Sequence, residues 1–227
     1  MVTISTAACA SATAPSATPQ VSRSAGLGTQ GKPVNTGPPG VRNVAVVTAG
    51  IGAYLETVLP VAIIKNESTT ESAQNLTITW TVRNSRGATF GRVAGSIAIL
   101  GAGQTTVVGA RMAGQDVGGT AAATVATGAW TTDVSAVITA TPGGLNCAGC
   151  GPYAGDGTVT STLTSDTPSP PTPLNVGAAC IGANGAIDGG GSTVFFWSAT
   201  GTSQATSIPV LINGSPRACI VGATPAS

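Results

Sequence analysis

Between Val58 and Val108 the hydrophobic and polar positions fall into short runs that break at turn residues. The clearest run, Leu76-Thr77-Ile78-Thr79-Trp80-Thr81-Val82-Arg83, alternates without interruption, the period of a strand with one buried face. Leu76, Ile78, Trp80 and Val82 are therefore assigned to a core. Asn84-Ser85-Arg86-Gly87 ends the run with residues that tolerate left-handed backbone angles, and a second strand is expected from Ala88 to Ile99. Val58 to Ile64 forms a third, closed by Lys65-Asn66-Glu67. Gly101-Ala102-Gly103-Gln104 then turns the chain into a β-branched run, Thr105 to Val108. Four strands at this spacing describe half of an antiparallel sandwich.

The same pattern, read along the whole chain, predicts an all-β protein in four parts. Residues 1–40 are Ser, Thr, Pro, Gly and Ala with only Arg23 and Lys32 charged. Such a segment buries too little apolar surface to offset its ordering entropy alone. It is expected to be an extended arm lying on another subunit, with Val2-Thr3-Ile4-Ser5 added as a strand to an exposed edge. Residues 41–142 form the sandwich: Val41 to Ile51 and Tyr54 to Ile64 open it, Thr120 to Ala126 and Val134 to Ala140 continue it, and Pro142-Gly143-Gly144 ends it. Residues 143–173 hold a Cys-containing loop, a strand from Thr158 to Thr164 and a Pro-rich run, Thr167 to Pro173, expected to be a stiff linker. Residues 174–227 make a small β domain from Leu174 to Ile181, Thr193 to Ala199, Ser207 to Ile212 and Ala218 to Val221. Asn213-Gly214 is a hairpin signal between the last two.

Over about residues 41 to 140 the chain resembles a bacterial FxLYD-like or adhesion-type immunoglobulin-like domain. The resemblance is carried by Val61-Ala62-Ile63-Ile64-Lys65-Asn66, the alternating Leu76 to Val82, Gly87 in the next turn, and Gly101-Ala102-Gly103. Where that family has Leu-Tyr-Asp, this chain has Val82-Arg83-Asn84. The resemblance implies an Ig-like antiparallel sandwich and no ligand. Domains of this kind serve interaction and display on unrelated proteins.

Composition narrows the functions. Charged residues are 7% of the chain, with net charge +1, where about a quarter is usual. The nine Lys and Arg are scattered, so counterion release has little to act on and nucleic acid is not an expected partner. No run approaches the roughly 18 apolar residues of a membrane helix. The opening MVTISTAACASATAP lacks the basic and apolar regions of a signal peptide, which points to a product made in the cytoplasm that acts elsewhere. Small neutral residues dominate, and a surface of that kind suits a subunit enclosed by neighbours.

Candidate chemistry is sparse. The chain has no histidine, which removes the commonest general base and a common metal ligand. The eight carboxylates, Glu56, Glu67, Glu71, Asp116, Asp133, Asp156, Asp166 and Asp188, are dispersed. Gly155-Asp156-Gly157 and Asp188-Gly189-Gly190-Gly191 fit turns better than calcium loops, which need a run of oxygen ligands. Gly185 to Gly191 lacks the Lys and Ser/Thr of a P-loop. Of the five cysteines, Cys147 and Cys150 form C-x-x-C in a Gly-rich loop, and Cys180 and Cys219 bracket the last segment. The expected pairs are Cys180 with Cys219 and Cys147 with Cys150, leaving Cys9 free or linking chains. Three N-x-S/T triplets start at Asn66, Asn75 and Asn213. In Phe195-Phe196-Trp197, alternation buries the outer two and exposes Phe196, or the reverse. Phe196, Val2 and Ile4 are the candidate assembly contacts.

No cofactor, metal or small-molecule substrate is expected, and no enzyme. The chain as a whole resembles a decoration or cement protein of a tailed bacteriophage, placed on the virion exterior among copies of itself and other virion subunits. The alternative is the subunit of an extracellular bacterial or archaeal filament whose arm completes a neighbour's sheet.

Overall fold

The computed structural model describes residues 42–114, 118–133, 136–147, 155–198 and 201–226. Val2, Ile4, Cys9, Asp116 and Cys150 lie outside them. Fourteen antiparallel strands and no helix make up the described fold. The first five are β1 (Val44–Tyr54), β2 (Thr57–Asn66), β3 (Ser72–Arg83), β4 (Thr89–Leu100) and β5 (Thr105–Gly109). Then come β6 (Met112–Ala113), β7 (Thr120–Ala126), β8 (Ala129–Thr131), β9 (Ile138–Cys147) and β10 (Gly155–Ser165). The last four are β11 (Leu174–Ile181), β12 (Ile187–Phe195), β13 (Ser203–Ile212) and β14 (Ala218–Pro225).

Sheet A runs β1-β2-β5, with β6 also on β2; sheet B runs β4-β3-β7, with β8 also on β3. The two face each other across a core in which Leu76, Ile78 and Trp80 are fully buried, with Val82 at 1% exposure. The alternation of β3 thus lands in the expected phase. Its turn forms around Asn84, whose Oδ1 accepts from the Arg86 and Ala88 amides, and Gly87 takes φ +81°.

Strand β2 is different: Val61 through Ile64 are all buried. Ala62 and Ile64 face sheet B, whereas Val61 and Ile63 join Val107, Ala179 and Ile187 in a second contact on the other side of sheet A. That second contact is with sheet C, ordered β14-β11-β12-β13-β10-β9. Sheet C folds over on itself. Its two end strands, β9 and β14, supply Ile138 and Val221 to one core, and the corner between β12 and β13 is held by only two register pairs, Gly189 with Ile212 and Gly190 with Leu211. A Cβ on Gly189 would sit 2.5 Å from the Leu211 carbonyl, and one on Gly191 2.1 Å from that of Pro209. The corner requires glycine because backbone packs on backbone.

Several sequence expectations change here. Asp188-Gly189-Gly190-Gly191, expected as a turn, lies inside β12, and Gly155-Asp156-Gly157, expected as another, opens β10. Pro142-Gly143-Gly144 does not end a domain but lies inside β9. Proline is tolerated there because β9 is an edge strand, and a register irregularity between Val159 and Ser161 leaves the Thr160 hydroxyl to bond both the Gly144 amide and its carbonyl. Hydrogen bonding therefore changes from sheet B to sheet C between Thr131 and Ile138, so β9 and β10 belong with the last four strands rather than with the sandwich or a linker. Residues 167–173 connect β10 to β11 within one sheet, with Pro170 buried. Asn213-Gly214 is not a hairpin: β14 pairs with β11. Asn213 instead reaches β1, its Oδ1 accepting from the Ala53 amide at 2.6 Å.

Candidate assembly surface

The strands present two broad outer faces made of small hydroxyl and methyl groups. On sheet B, Thr79 is flanked by Ala94 and Thr124, and Thr77 by Ser96 and Ala126. Arg83 and Arg92 stand toward one end of that face. On sheet C, Thr162 is flanked by Thr141 and Ala205, and Thr160 lies opposite Ser207. A shallow depression of about 300 Å³ runs over Gly143, Thr160, Thr162, Ala205 and Ser207. Hydroxyls both donate and accept, lose little side-chain entropy, and require no charge to be desolvated when another surface covers them.

A deeper cleft of about 400 Å³ opens where the edges of β4 and β5 meet β11 and β12. Gly95, Gly109 and Gly177 line it, Ser96 and Asn175 give it polar walls, and Val194 stands beside them at 53% exposure. Asn175 crosses from β11 toward β4, its Nδ2 donating to the Ser96 carbonyl at 3.5 Å. Among the described residues, the strand that pairs with β4 is β3.

Phe196 is 65% exposed, while Phe195 and Trp197 are half-buried and meet edge to face with ring centroids 6.1 Å apart. The exposed phase of that alternation is therefore Phe196. Cys180 and Cys219 are cross-strand partners on β11 and β14 and form a disulfide, as expected from their positions. Cys147 is disulfide-bonded as well; the expected partner, Cys150, lies outside the described residues. Among the described residues, Phe196 is not brought together with Cys147, Cys180 or Cys219.

Among the described residues no three His, Cys, Asp or Glu side chains gather as a metal site would need. Asp188 packs over Gly182 and Gly214 and its carbonyl accepts from the Asn213 amide, a turn-clamping role. Arg42 holds Glu71 in an exposed two-pronged ion pair at 2.7 and 2.8 Å. The hydrogen bond to that guanidinium lowers the Glu71 pKa from the ordinary carboxylate value.

Asn66, in sequence only a strand end and the start of a triplet, has a structural role. It is fully buried, its Nδ2 donating to the carbonyls of Glu71, Leu100 and Gly101 at 2.8, 3.1 and 3.0 Å, its Oδ1 accepting from the Ser68 amide at 2.9 Å. Only its place two residues before Ser68, at the end of an apolar run, hints at an Asx-type turn. With Asn66 enclosed and Asn213 engaged by β1, Asn75 is the exposed member of the three triplets, at φ +51°.

No protein-family model matches the chain, and no curated protein matches it in sequence.

Proposed function

We propose that the chain is a structural, non-enzymatic assembly protein, a decoration or cement subunit on the exterior of a tailed-bacteriophage capsid. The observation that carries this reading is the pair of outer faces built from Thr, Ser and Ala with few charges. Interface centres are depleted of charge relative to the rest of a protein surface. The likeness of residues 41–140 to Ig-like display modules supports the same role. Exposed Phe196 supplies an aromatic side chain of the type enriched at interfaces.

The uncharged run of residues 1–22 favours one second reading, the subunit of an extracellular filament at the cell surface. Imaging of the full chain, alone and after mixing with undecorated capsids from the genome that carries its gene, tests both. Ordered capsid-bound density supports decoration. Self-assembled fibres without capsid binding support the filament. A chain that stays monomeric and binds no capsid refutes both.

A further inference from the structure

We propose that β7 is the strand through which two copies of this chain join, each laying Thr120–Ala126 antiparallel against that of the other about a two-fold axis at Ala123. This inference rests on the assembly reading above and names the contact between copies. Among the described residues β7 pairs with β3 and with no strand on its other side. The Thr124 hydroxyl reaches the carbonyl of Thr79 directly opposite. Thr120, Ala122, Thr124 and Ala126 therefore turn their backbone groups to β3, while Ala121, Ala123 and Val125 turn theirs outward. A row of such groups is a template for another strand.

The other long edges each carry a device against pairing. In β1 the register shifts between Val46 and Thr48, and the Asn213 side chain accepts from the Ala53 amide and donates to the Ile51 carbonyl. In β4 the Ser96 carbonyl accepts from Asn175, and Arg92 lies within the strand. β9 contains Pro142 and pairs across an irregularity, and β14 shares a core with β9 where sheet C folds over. By contrast β7, Thr-Ala-Ala-Ala-Thr-Val-Ala, has no charge, no proline and no register shift.

Two observations select a second copy as the occupant. Ala121, Ala123 and Val125 are half-buried at the margin of the A–B core, and pairing about Ala123 covers them with the same three residues of the partner. Ala122 then lies opposite the partner's Thr124, and Thr120 opposite the partner's Ala126, so the hydroxyl and methyl face of sheet B continues across the axis. Charge permits this self-pairing. Arg83, one strand in and opposite Thr120, donates from its guanidinium to the Gly87 carbonyl. The axis sets its two copies about 20 Å apart along the strands at roughly 3.4 Å per residue, beyond the Debye length of about 8 Å.

The test is sedimentation velocity of the full chain over a concentration series. Ala122→Lys with Thr124→Lys puts like charges opposite each other across the axis, and Ala122→Glu with Thr124→Glu does the same with the other sign. The unmodified chain should dimerise, and each double variant alone should dimerise roughly tenfold more weakly or worse. An equimolar mixture of the two should recover the dimer, because opposite charges then face each other. All these sites are exposed, and matched thermal melts establish that each variant is folded. If the central pair is not tolerated, Thr120 and Ala126, also exposed and also facing each other, take the same substitutions. Variants that dimerise like the unmodified chain overturn the inference, and so does a mixture that stays monomeric, since the register then fails. Larger assemblies that the charges leave intact overturn the β7 contact while the assembly reading stands. An unmodified chain that is monomeric at every concentration overturns the inference as well, and the assembly reading falls with it only when the same protein also leaves capsids bare.

Discussion

Replacing Gly222 with alanine should be among the most destabilising single-methyl additions in this protein. Gly177 and Gly222 are cross-strand partners on β11 and β14, and both lie against the backbone of Val107 on β5. A Cβ at Gly177 would stand 2.4 Å from the Val107 carbonyl oxygen, and one at Gly222 would stand 2.3 Å from its nitrogen. Ordinary contact begins near 3.4 Å, so either methyl forces sheets A and C apart by about 1 Å. Overpacking typically costs about 1–3 kcal/mol. The upper end applies because the opposing atoms are backbone on both sides and have no rotamer through which to yield.

A loss of about 3 kcal/mol lowers Tm by roughly 6–12 °C in a chain of this size. Denaturant titration followed by tryptophan fluorescence, disulfides intact, measures it. The Gly177→Ala, Gly222→Ala double variant should cost well under the sum of the two, since the first methyl already lifts Val107 away from both. Gly144→Ala, with nothing within 4 Å of its added Cβ, is the control and should change stability by no more than about 0.5 kcal/mol. Single variants as stable as the parent, or a fully additive pair, would show that the two sheets do not meet at Val107.

Trp80→Ala empties the centre of the A–B core and should cost about 3–5 kcal/mol in the same titration; a change below about 1 kcal/mol places Trp80 at the surface. Loss of the Cys180–Cys219 bridge, which spans 39 residues, should cost about 4 kcal/mol on the chain-entropy model, and hydrogen exchange after reduction should show β11 and β14 loosening before β3. Asn66→Asp should destabilise more than Asn66→Ala, because its carboxylate would face three carbonyl oxygens that Nδ2 now satisfies; the reverse order in thermal melts refutes that geometry. NMR titration should find Glu71 ionising below an ordinary glutamate, and Arg42→Ala should return it upward. Because its folded-state pKa is the depressed one, the pair's contribution is complete above the unfolded-state pKa and is lost as pH falls through the folded value.

Strand β3 was legible because one face is buried and the other wet, so its sequence alternates. Strand β2 was legible as a strand but not as a doubly covered one, although its unalternating Leu59-Pro60-Val61-Ala62-Ile63-Ile64 carries that signal. The partition of the chain misled for a physical reason. Gly, Pro and Asn report local backbone freedom, whereas strand partners are chosen by contacts far away in sequence. Pro142-Gly143-Gly144 looks like a terminus unless β9 is known to be an edge, and Gly189-Gly190-Gly191 looks like a loop unless another backbone is known to press on it. The same limit applies to the candidate contact surface. Alternation narrowed Phe196 to two phases, and its exposed phase emerged only from the fold; that β4 is an edge depends on sheet order, which no single strand records.

The order in which sheet C is completed bears on synthesis. β9 and β10 emerge early, yet β10 waits for β13 and β11 waits for β14, the final strand. A ribosome that has released residues 42–131 has delivered every strand of sheets A and B, while Val61, Ile63 and Val107 still lack the layer that covers them. Until the last residues arrive, the half-made protein carries a bare apolar sheet, the kind of transiently exposed surface through which nascent chains aggregate.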